Sequence, residues 1–269
     1  MRKILVVLSG GQDSTTCLYL TKHQHIDEEA GDELHAVTFD YGQRHSREIA
    51  CAAKIAKMAG VTSHEIVTLG EGILRGTSPL VSGAKLEQYA DHNSLPGGLE
   101  KTFVPMRNQL FLTVAANRAY VLGCDILVTG VSEEDYGGYP DCRRPFLDAV
   151  IAACNRGTFT GEPGTRPGLR ISAPLLHMSK RDEVNLSLTL PGCYGALAWS
   201  HTAYDGEYPP TGHDHATLLR AKGFEQAMIP DPLVLRAYNE WKMPLPPTDN
   251  YAAELVRSFM KRLHLEGGL

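Results

Sequence analysis

The feature that most constrains this chain is the segment of residues 4–20, where an apolar strand passes through a glycine-rich turn into a helix. Residues 4–8 are a continuous apolar run rich in β-branched side chains, which is typical of a strand buried on both faces of a parallel sheet. The turn then reads Ser-Gly-Gly-Gln-Asp-Ser, and an apolar helical face begins with Cys17, Leu18 and Leu20. This order of elements predicts an α/β fold that opens with a strand, a tight turn and a helix.

The glycine-rich turn has the chemistry of a phosphate site. Gly10 and Gly11 let the backbone approach a ligand closely and can adopt positive φ without steric cost. The start of a helix adds unpaired N–H groups and the positive end of the helix dipole, while Ser9 and Ser14 add hydroxyl donors. The turn lacks the Lys-Ser/Thr ending of a Walker A loop and is not G-x-G-x-x-G. We therefore expect another class of phosphate-binding turn, with a purely structural glycine turn as the alternative.

Strands and helices alternate along the next part of the chain, which predicts a doubly wound parallel sheet. Further strands are predicted at residues 35–41, 65–69, 125–130 and 171–173, and helices at residues 46–59, 108–122, 146–154 and 180–190. Ligands of such sheets bind at the carboxyl ends of the strands. The residues expected at that edge are Ser9, Asp40, Ser132 and Pro174.

We divide the chain into a nucleotide-binding α/β domain at residues 1–190 and a smaller C-terminal lobe at residues 191–269. Residues 251–263 carry apolar side chains at helical spacing, which predicts a terminal helix docked on the body or on a second subunit. We expect a homodimer.

Composition limits the function classes. The 269 residues are 43% hydrophobic, enough for a substantial core, and the net charge of −5 argues against direct nucleic-acid binding. No apolar run approaches the roughly 20 residues of a membrane span, and no signal-peptide pattern is present. The six cysteines are scattered without a C-x-x-C pair, so they indicate neither a disulfide framework nor a thiolate zinc site. We expect a cytoplasmic protein that binds no membrane.

Two basic residues stand where helices are predicted to begin. Arg107 precedes Asn108, a predicted N-cap, and Lys180 follows Ser179, which is predicted to form a capping box with Asp182. A cation at a helix N-terminus costs roughly 0.3 kcal/mol or more unless an anion binds there. Arg107 and Lys180 therefore predict a shared anionic ligand such as a triphosphate.

Two further runs supply binding groups. Residues 39–45 follow the second strand, where the backbone around Tyr41 and Gly42 is expected to hold adenine and Arg44 or the next histidine to reach phosphates. Residues 132–143 combine carboxylates with tyrosines, which suits a purine-like ring: aromatic faces stack on it and carboxylates accept from its N–H groups. A solvated acidic surface is the alternative. The candidate substrate-binding residues are Glu133, Asp135, Tyr139, Asp141 and Arg143.

Taken in order, these motifs identify a family. Ser-Gly-Gly-x-Asp-Ser resembles the pyrophosphatase loop (PP-loop) of enzymes that split ATP into AMP and pyrophosphate. Together with Asp-Tyr-Gly-Gln-Arg-His, Val-Pro-x-Arg-Asn, the Tyr-Pro-Asp-Cys-Arg run and Pro-Leu-x-x-x-Ser-Lys, it resembles the QueC family of 7-cyano-7-deazaguanine (preQ0) synthases over residues 3–232. The resemblance implies an adenine nucleotide α-hydrolase-like fold.

The resemblance also implies a reaction: ATP adenylates 7-carboxy-7-deazaguanine, ammonia displaces AMP to give an amide, and a second adenylation gives the nitrile. ATP and Mg²⁺ are the implied cofactors. We expect Asp13, Lys180 and Arg107 to be catalytic. The expected nucleotide-binding residues are Ser9, Gly10, Gly11, Gln12, Asp13, Ser14, Tyr41, Gly42 and Arg44.

The chain departs from the family where four zinc cysteines are expected. Those positions are His201, Thr211, Asp214 and Thr217 here, so the thiolate site is lost and bound zinc is doubtful. An alternative metal set is His201, His213, Asp214 and His215. The departure keeps two other functions open: transfer of the activated acid to another amine, such as one on a protein, as in paralogues of antiphage-defence clusters, and a non-catalytic nucleotide-binding module.

Overall fold

The computed structural model describes residues 1–42, 47–70, 72–74, 78–79, 87–91, 102–133, 139–158, 160–161, 163–203 and 206–269. Within these residues the fold is built on a five-stranded sheet in the order β3-β2-β1-β4-β5, and the strands of each neighbouring pair run parallel. The strands are β1 Lys3–Val7, β2 Glu33–Asp40, β3 Ser63–Thr68, β4 Ile126–Val128 and β5 Arg170–Ser172. The predicted α/β fold class is confirmed.

The described helices lie between and after the strands. They are α1 Gln12–His25, α2 Arg47–Ala59, α3 Arg107–Leu122, α4 Arg144–Gly157, α5 Lys180–Thr189, α6 Cys193–Leu197, α7 His215–Gln226, α8 Pro232–Asn239 and α9 Ala253–Leu265. One apolar cluster joins Ile4 and Val6 of β1 to α1 and α2, and the other joins Leu5 to α3 and α4. Alternate residues of β1 thus enter opposite layers, as expected for a strand buried on both faces.

The position of β1 creates the ligand-binding edge. β1 pairs with β2 on one side and with β4 on the other, so the chain order reverses between β1 and β4. In open parallel sheets the crevice at such a switch point, outside the carboxyl ends of the strands, is where ligands bind. Gly130 lies in this crevice just after β4, and an added Cβ there would lie 2.9 Å from Ser14 N. Glycine therefore allows the end of β4 to pack against the start of α1.

Some boundaries differ from the sequence prediction. Helix α4 starts two residues earlier than predicted, because Pro145 fits in a first helical turn, where the missing N–H would have no partner anyway. The predicted N-cap at Asn108 is wrong: α3 starts at Arg107, and its N-cap is Met106 with a left-handed φ of 65°. The predicted Ser179 cap is confirmed, since Ser179 Oγ accepts a hydrogen bond from Asp182 N at 3.2 Å.

The terminal helix docks on the body, as predicted. Leu263 of α9 is fully buried, and Phe259 packs against Tyr194 of α6 with 5.2 Å between ring centroids. Glu266, just after α9, accepts a hydrogen bond from Gly195 N at 2.8 Å. The cluster that contains Ile4 and Val6 of β1 also includes α6, Leu235 of α8 and Leu263, so this core crosses position 190. The division at that position stays a prediction.

Candidate active site

A pocket of about 270 Å³ opens at the carboxyl edge of the sheet, bounded by the ends of β1, β2 and β4. Many of the residues predicted for function meet in this pocket. They are Ser9, Gly11, Gln12, Asp13, Ser14, Tyr41, Arg107, Tyr139 and Lys180. The sequence motifs, which are up to 171 positions apart along the chain, therefore contribute to one site.

The glycine-rich turn is held in a fixed shape. Gly10 has φ of 89°, and an added Cβ would lie 2.4 Å from Glu48 O, so only glycine fits. Ser9 Oγ and Ser14 Oγ lie 3.0 Å apart, and Ser9 N donates to Ser14 Oγ at 3.1 Å. The segment after α6 also supports the turn, since His201 N donates to Gly10 O at 2.8 Å. The first N–H groups of α1 consequently lie beside the pocket.

Lys180 connects the turn to the first residues of α5. Its Nζ lies 2.5 Å from Asp13 Oδ1 and 3.0 Å from Glu183 Oε2. Glu183 is only 3% exposed, and its other oxygen accepts from Thr16 Oγ1 at 3.4 Å. Because both acids contact the ammonium, Lys180 has a fixed position at the pocket wall rather than a flexible surface one. A cation in such a position can bind a phosphate oxygen.

Arg107 is a second predicted cation in the pocket lining. It is the first residue of α3, and the left-handed Met106 before it adopts a conformation that costs a non-glycine residue roughly 1–2 kcal/mol. Arg107 hydrogen-bonds Tyr41 and opposes the rise that burial causes in the pKa of Tyr41. It acts likewise on Asp141, whose carboxyl pKa is raised by burial and lowered in part by Arg107. The pocket lining thus contains the cations Lys180, Arg107 and Arg220.

Gln12 is a buried polar side chain without a partner. It is 5% exposed, lines the pocket, and neither Oε1 nor Nε2 makes a hydrogen bond to any residue that the structure describes. Leaving such groups unpaired costs roughly 1–3 kcal/mol each. A ligand with a hydrogen-bonding edge would remove this cost, which makes Gln12 a candidate ligand contact.

The 139–143 bend is anchored beside the turn. Tyr139 and Cys142 line the pocket, and the Tyr139 hydroxyl lies 3.0 Å from Thr102 Oγ1. The backbone carbonyl of Asp141, itself buried, accepts from Asn108 Nδ2 at 3.4 Å. Arg143 is exposed, and the pocket lining does not include it.

The remaining predicted residues are placed as follows. Glu133 contacts His177 at 3.6 Å and is not part of the pocket lining, and Gly42 is exposed. Gly10 packs against α2 and is not part of the pocket lining. The predictions for Arg44 and Asp135 lie outside the described residues.

Several pocket-wall residues were not predicted from the sequence, and His201 was predicted only as an alternative metal ligand. Glu48 of α2 lines the pocket, and burial raises the pKa of its carboxyl to about 7, although nearby Arg107 acts in the opposite direction. Residues 201–203 and Arg220 complete the wall on the side of the C-terminal lobe. The only sequence signal for Glu48 was an acid in the first turn of the helix after β2.

The residues at the predicted metal positions do not fit a metal. Asp214 caps α7, accepting from Thr217 N at 3.1 Å and from Thr217 Oγ1 at 2.8 Å. His201 Nε2 donates to Ala203 O at 2.8 Å. Throughout the described ranges, no three histidine, cysteine, aspartate or glutamate side chains are grouped to hold a metal ion. His201, His213, Asp214 and His215 therefore form no zinc centre in this structure.

The requirements of Mg²⁺ are different, because this ion usually binds one or two protein carboxylates together with substrate phosphates. Asp13 offers a carboxylate at the phosphate-binding turn. The donor set of the pocket thus fits Mg²⁺ held largely by the nucleotide.

The parallel sheet, its switch-point pocket and the Ser-Gly-Gly-Gln-Asp-Ser turn define a PP-loop nucleotide-binding protein. The family model of queuosine biosynthesis protein QueC matches residues 3–228. The chain belongs to the QueC family and is thus an enzyme, an ATP-dependent synthase of the QueC type. The match ends close to position 232, where the sequence resemblance was expected to end.

Relatives agree with this assignment. The chain is 47% identical to a 7-cyano-7-deazaguanine synthase of Gloeobacter violaceus, over 87% of this chain and 96% of the relative. It is 45% identical to a protein of the same name from Chromobacterium violaceum, over 88% and 95%.

Solved structures are more distant. The U34-tRNA thiolase NcsA from Methanococcus maripaludis has a TM-score of 0.40 at 16% identity, over 98% of this chain and 73% of that one. The NAD+ synthetase from Burkholderia pseudomallei has a TM-score of 0.38 at 16% identity, over 89% and 82%. Separately, none of the described helices has the length and apolar character needed to cross a membrane.

Proposed function

We propose that this enzyme adenylates 7-carboxy-7-deazaguanine with ATP and converts it with ammonia, through the amide, into 7-cyano-7-deazaguanine. One observation carries the proposal: the phosphate-binding turn and two residues of the 139–143 bend, Tyr139 and Cys142, line the same pocket. Adenylation requires the α-phosphate and the acceptor carboxylate to meet, and a pocket bounded by both motifs allows it. The names of the relatives, 7-cyano-7-deazaguanine synthase, support the choice of product.

The polyphosphate of ATP binds the turn between residues 9 and 14. The N–H groups at the start of α1 and the hydroxyls of Ser9 and Ser14 donate to its oxygens. Lys180 and Arg107 stabilise the charge that develops as pyrophosphate leaves. Asp13 holds Lys180 in place through the 2.5 Å contact. Mg²⁺, when bound at Asp13, supplies further charge neutralisation to the phosphates.

The acid binds on the side of the bend. The Tyr139 ring packs against Phe103 in a tilted arrangement, with 5.0 Å between ring centroids and 59° between planes, and this contact orients the aromatic wall for a flat heterocycle. Its carboxylate oxygen attacks the α-phosphorus, pyrophosphate leaves, and an acyl adenylate results. Ammonia then replaces AMP to give the amide, and a second adenylation on the amide oxygen followed by elimination of AMP gives the nitrile.

The test is incubation of the purified protein with ATP, Mg²⁺, ammonia and 7-carboxy-7-deazaguanine, with product analysis by mass spectrometry. The expected result is acid-dependent AMP together with free 7-cyano-7-deazaguanine, and strong loss of both in Asp13→Asn. An adduct of the acid on a protein amine without free nitrile would contradict the proposal and favour the transfer reaction. Bound ATP without AMP formation would also contradict it.

A further inference from the structure

Glu48 lies against the phosphate-binding turn through its backbone. An added Cβ on Gly10 would lie 2.4 Å from Glu48 O and 3.0 Å from Ala52 N, so the first turns of α2 pack directly on the turn. This packing fixes where the Glu48 side chain enters the pocket. The side chain lines the same pocket as Asp13, Arg107 and Lys180.

The Glu48 carboxyl is available for chemistry. It makes no hydrogen bond or ion pair with any residue in the described part of the chain, whereas the other carboxylate of the pocket lining, Asp13, contacts Lys180. The groups that influence or face it are Arg107 from α3, Tyr41 after β2 and Cys51 on its own helix. Burial outweighs the nearby guanidinium and raises the Glu48 pKa to about 7. A carboxyl with that pKa gives and takes protons near neutral pH.

The reaction contains a proton transfer for which no residue has yet been assigned. At neutral pH most ammonia exists as ammonium, which has no lone pair to attack an acyl adenylate. We propose that Glu48 is the general base that deprotonates ammonium in the pocket. The inference rests on the proposed function, since it assigns the base for that reaction's second step.

The ionised Glu48 carboxylate takes one proton from ammonium, and the freed nitrogen lone pair forms a bond to the acyl carbon. The bond between that carbon and the AMP oxygen breaks, and AMP leaves with the electron pair. A second proton passes from the new nitrogen to solvent, which gives the neutral amide. The proton on Glu48 returns to solvent before the next turnover.

The test separates adenylation from amide formation in Glu48→Gln, which keeps the shape of the side chain and removes its basicity. Exchange of labelled pyrophosphate into ATP, driven by the acid, reports adenylation, and AMP formation with ammonia reports the second step. At pH 7, ammonia-dependent turnover is expected to fall about 100-fold relative to wild type, far more than the exchange. Glu225→Gln, an exposed acid on α7 outside the pocket lining, is the matched control.

Two further measurements complete the test: the pH dependence of turnover, and turnover with hydroxylamine in place of ammonia. Wild-type turnover should rise with pH up to about 7, as Glu48 ionises, and then level off. The turnover of Glu48→Gln should not show this rise below pH 7. It should approach wild-type turnover only at alkaline pH, where free ammonia is abundant. Hydroxylamine is unprotonated at neutral pH and should restore the variant at pH 7.

Three results would overturn the proposal: equal ammonia-dependent rates in both proteins, a parallel loss of exchange and turnover, or no rescue by hydroxylamine. Failure of the proposed function is distinguishable, because the wild type would then show no acid-dependent exchange at all.

Discussion

Lys180 Nζ lies 2.5 Å from Asp13 Oδ1 and thereby joins the first turn of α5 to the first turn of α1 beside the pocket. The two residues are 167 positions apart, and each belongs to a motif that separately predicts phosphate binding. Their contact places the turn and the cation at the same pocket, which supports the proposal that both act on one ligand. Glu183, on the other side of the ammonium, fixes the direction of the lysine side chain.

Replacing Lys180 should therefore lower both activity and stability, and the two losses should have different causes. Lys180→Met is expected to lower acid-dependent AMP formation about 100-fold or more, because a charged donor to the leaving phosphates is lost. It also leaves the buried Glu183 without its cation, which costs about 3–5 kcal/mol of folding free energy. The double variant Lys180→Met/Glu183→Gln should recover most of the stability, measured by urea unfolding, and none of the activity. Recovery of activity would contradict the assigned role, and Lys57→Met on the exposed side of α2 is the control.

Replacing Gln12 should weaken ligand binding without lowering the stability of the free protein. Gln12→Leu removes two unpaired buried polar atoms and keeps the volume, so the Tm of the free protein should stay the same or rise. The rise in Tm on adding ATP and the acid should shrink, because the ligand loses its hydrogen-bonding partner. A variant that is destabilised while ligands still stabilise it fully would show that the amide is bonded within the protein.

The turn itself can be tested by two glycine substitutions. Gly10→Ala meets both a positive φ and a backbone oxygen at 2.4 Å, whereas Gly70→Ala meets a positive φ with nothing within 4 Å. The Gly70 variant should lose about 1 kcal/mol, the cost of the left-handed conformation alone. The Gly10 variant should lose clearly more and also lose nucleotide binding, as measured by calorimetry. Equal losses in the two variants would contradict the fixed packing of α2 on the turn.

A buried ion pair stabilises the C-terminal lobe. Arg220 Nε and Nη2 donate to the two oxygens of Asp231 at 2.6 and 2.8 Å, and Nη1 donates to Ser200 Oγ at 2.7 Å. Arg220→Met should cost about 3–5 kcal/mol because Asp231 is left buried and unpaired. Arg257→Met, on the exposed face of α9, should cost little.

The same account predicts that metal removal has no effect on this lobe. Treatment with a chelator should leave the Tm unchanged, and the purified protein should contain no stoichiometric zinc. A fall in Tm on chelation, or one zinc per chain, would show that the Arg220 network does not hold the lobe by itself.

Much of the site was predictable because its chemistry is local. The order of strand, glycine pair and helix predicts a phosphate-binding turn within residues 4–20. Lys180 was predicted because it is a cation at a helix N-terminus, where the helix dipole disfavours positive charge. Sheet topology then brings the ends of β1, β2 and β4 together.

Other parts of the site and fold depend on tertiary contacts that no local sequence pattern predicts. Glu48 enters the pocket only because α2 packs on Gly10, and Met106 adopts a left-handed conformation that sequence does not suggest for methionine. The partnership of Arg220 with Asp231 depends on how α7 meets the start of α8. These residues acquire their roles from tertiary packing, which single-sequence periodicity does not describe.

The most direct test of the central claim is the exchange of labelled pyrophosphate into ATP in the presence of 7-carboxy-7-deazaguanine and the absence of ammonia. If the turn and the 139–143 bend bring ATP and the acid together, exchange occurs only when the acid is present. It should also be lost in Asp13→Asn. A folded protein that binds ATP yet shows no acid-dependent exchange would contradict the account.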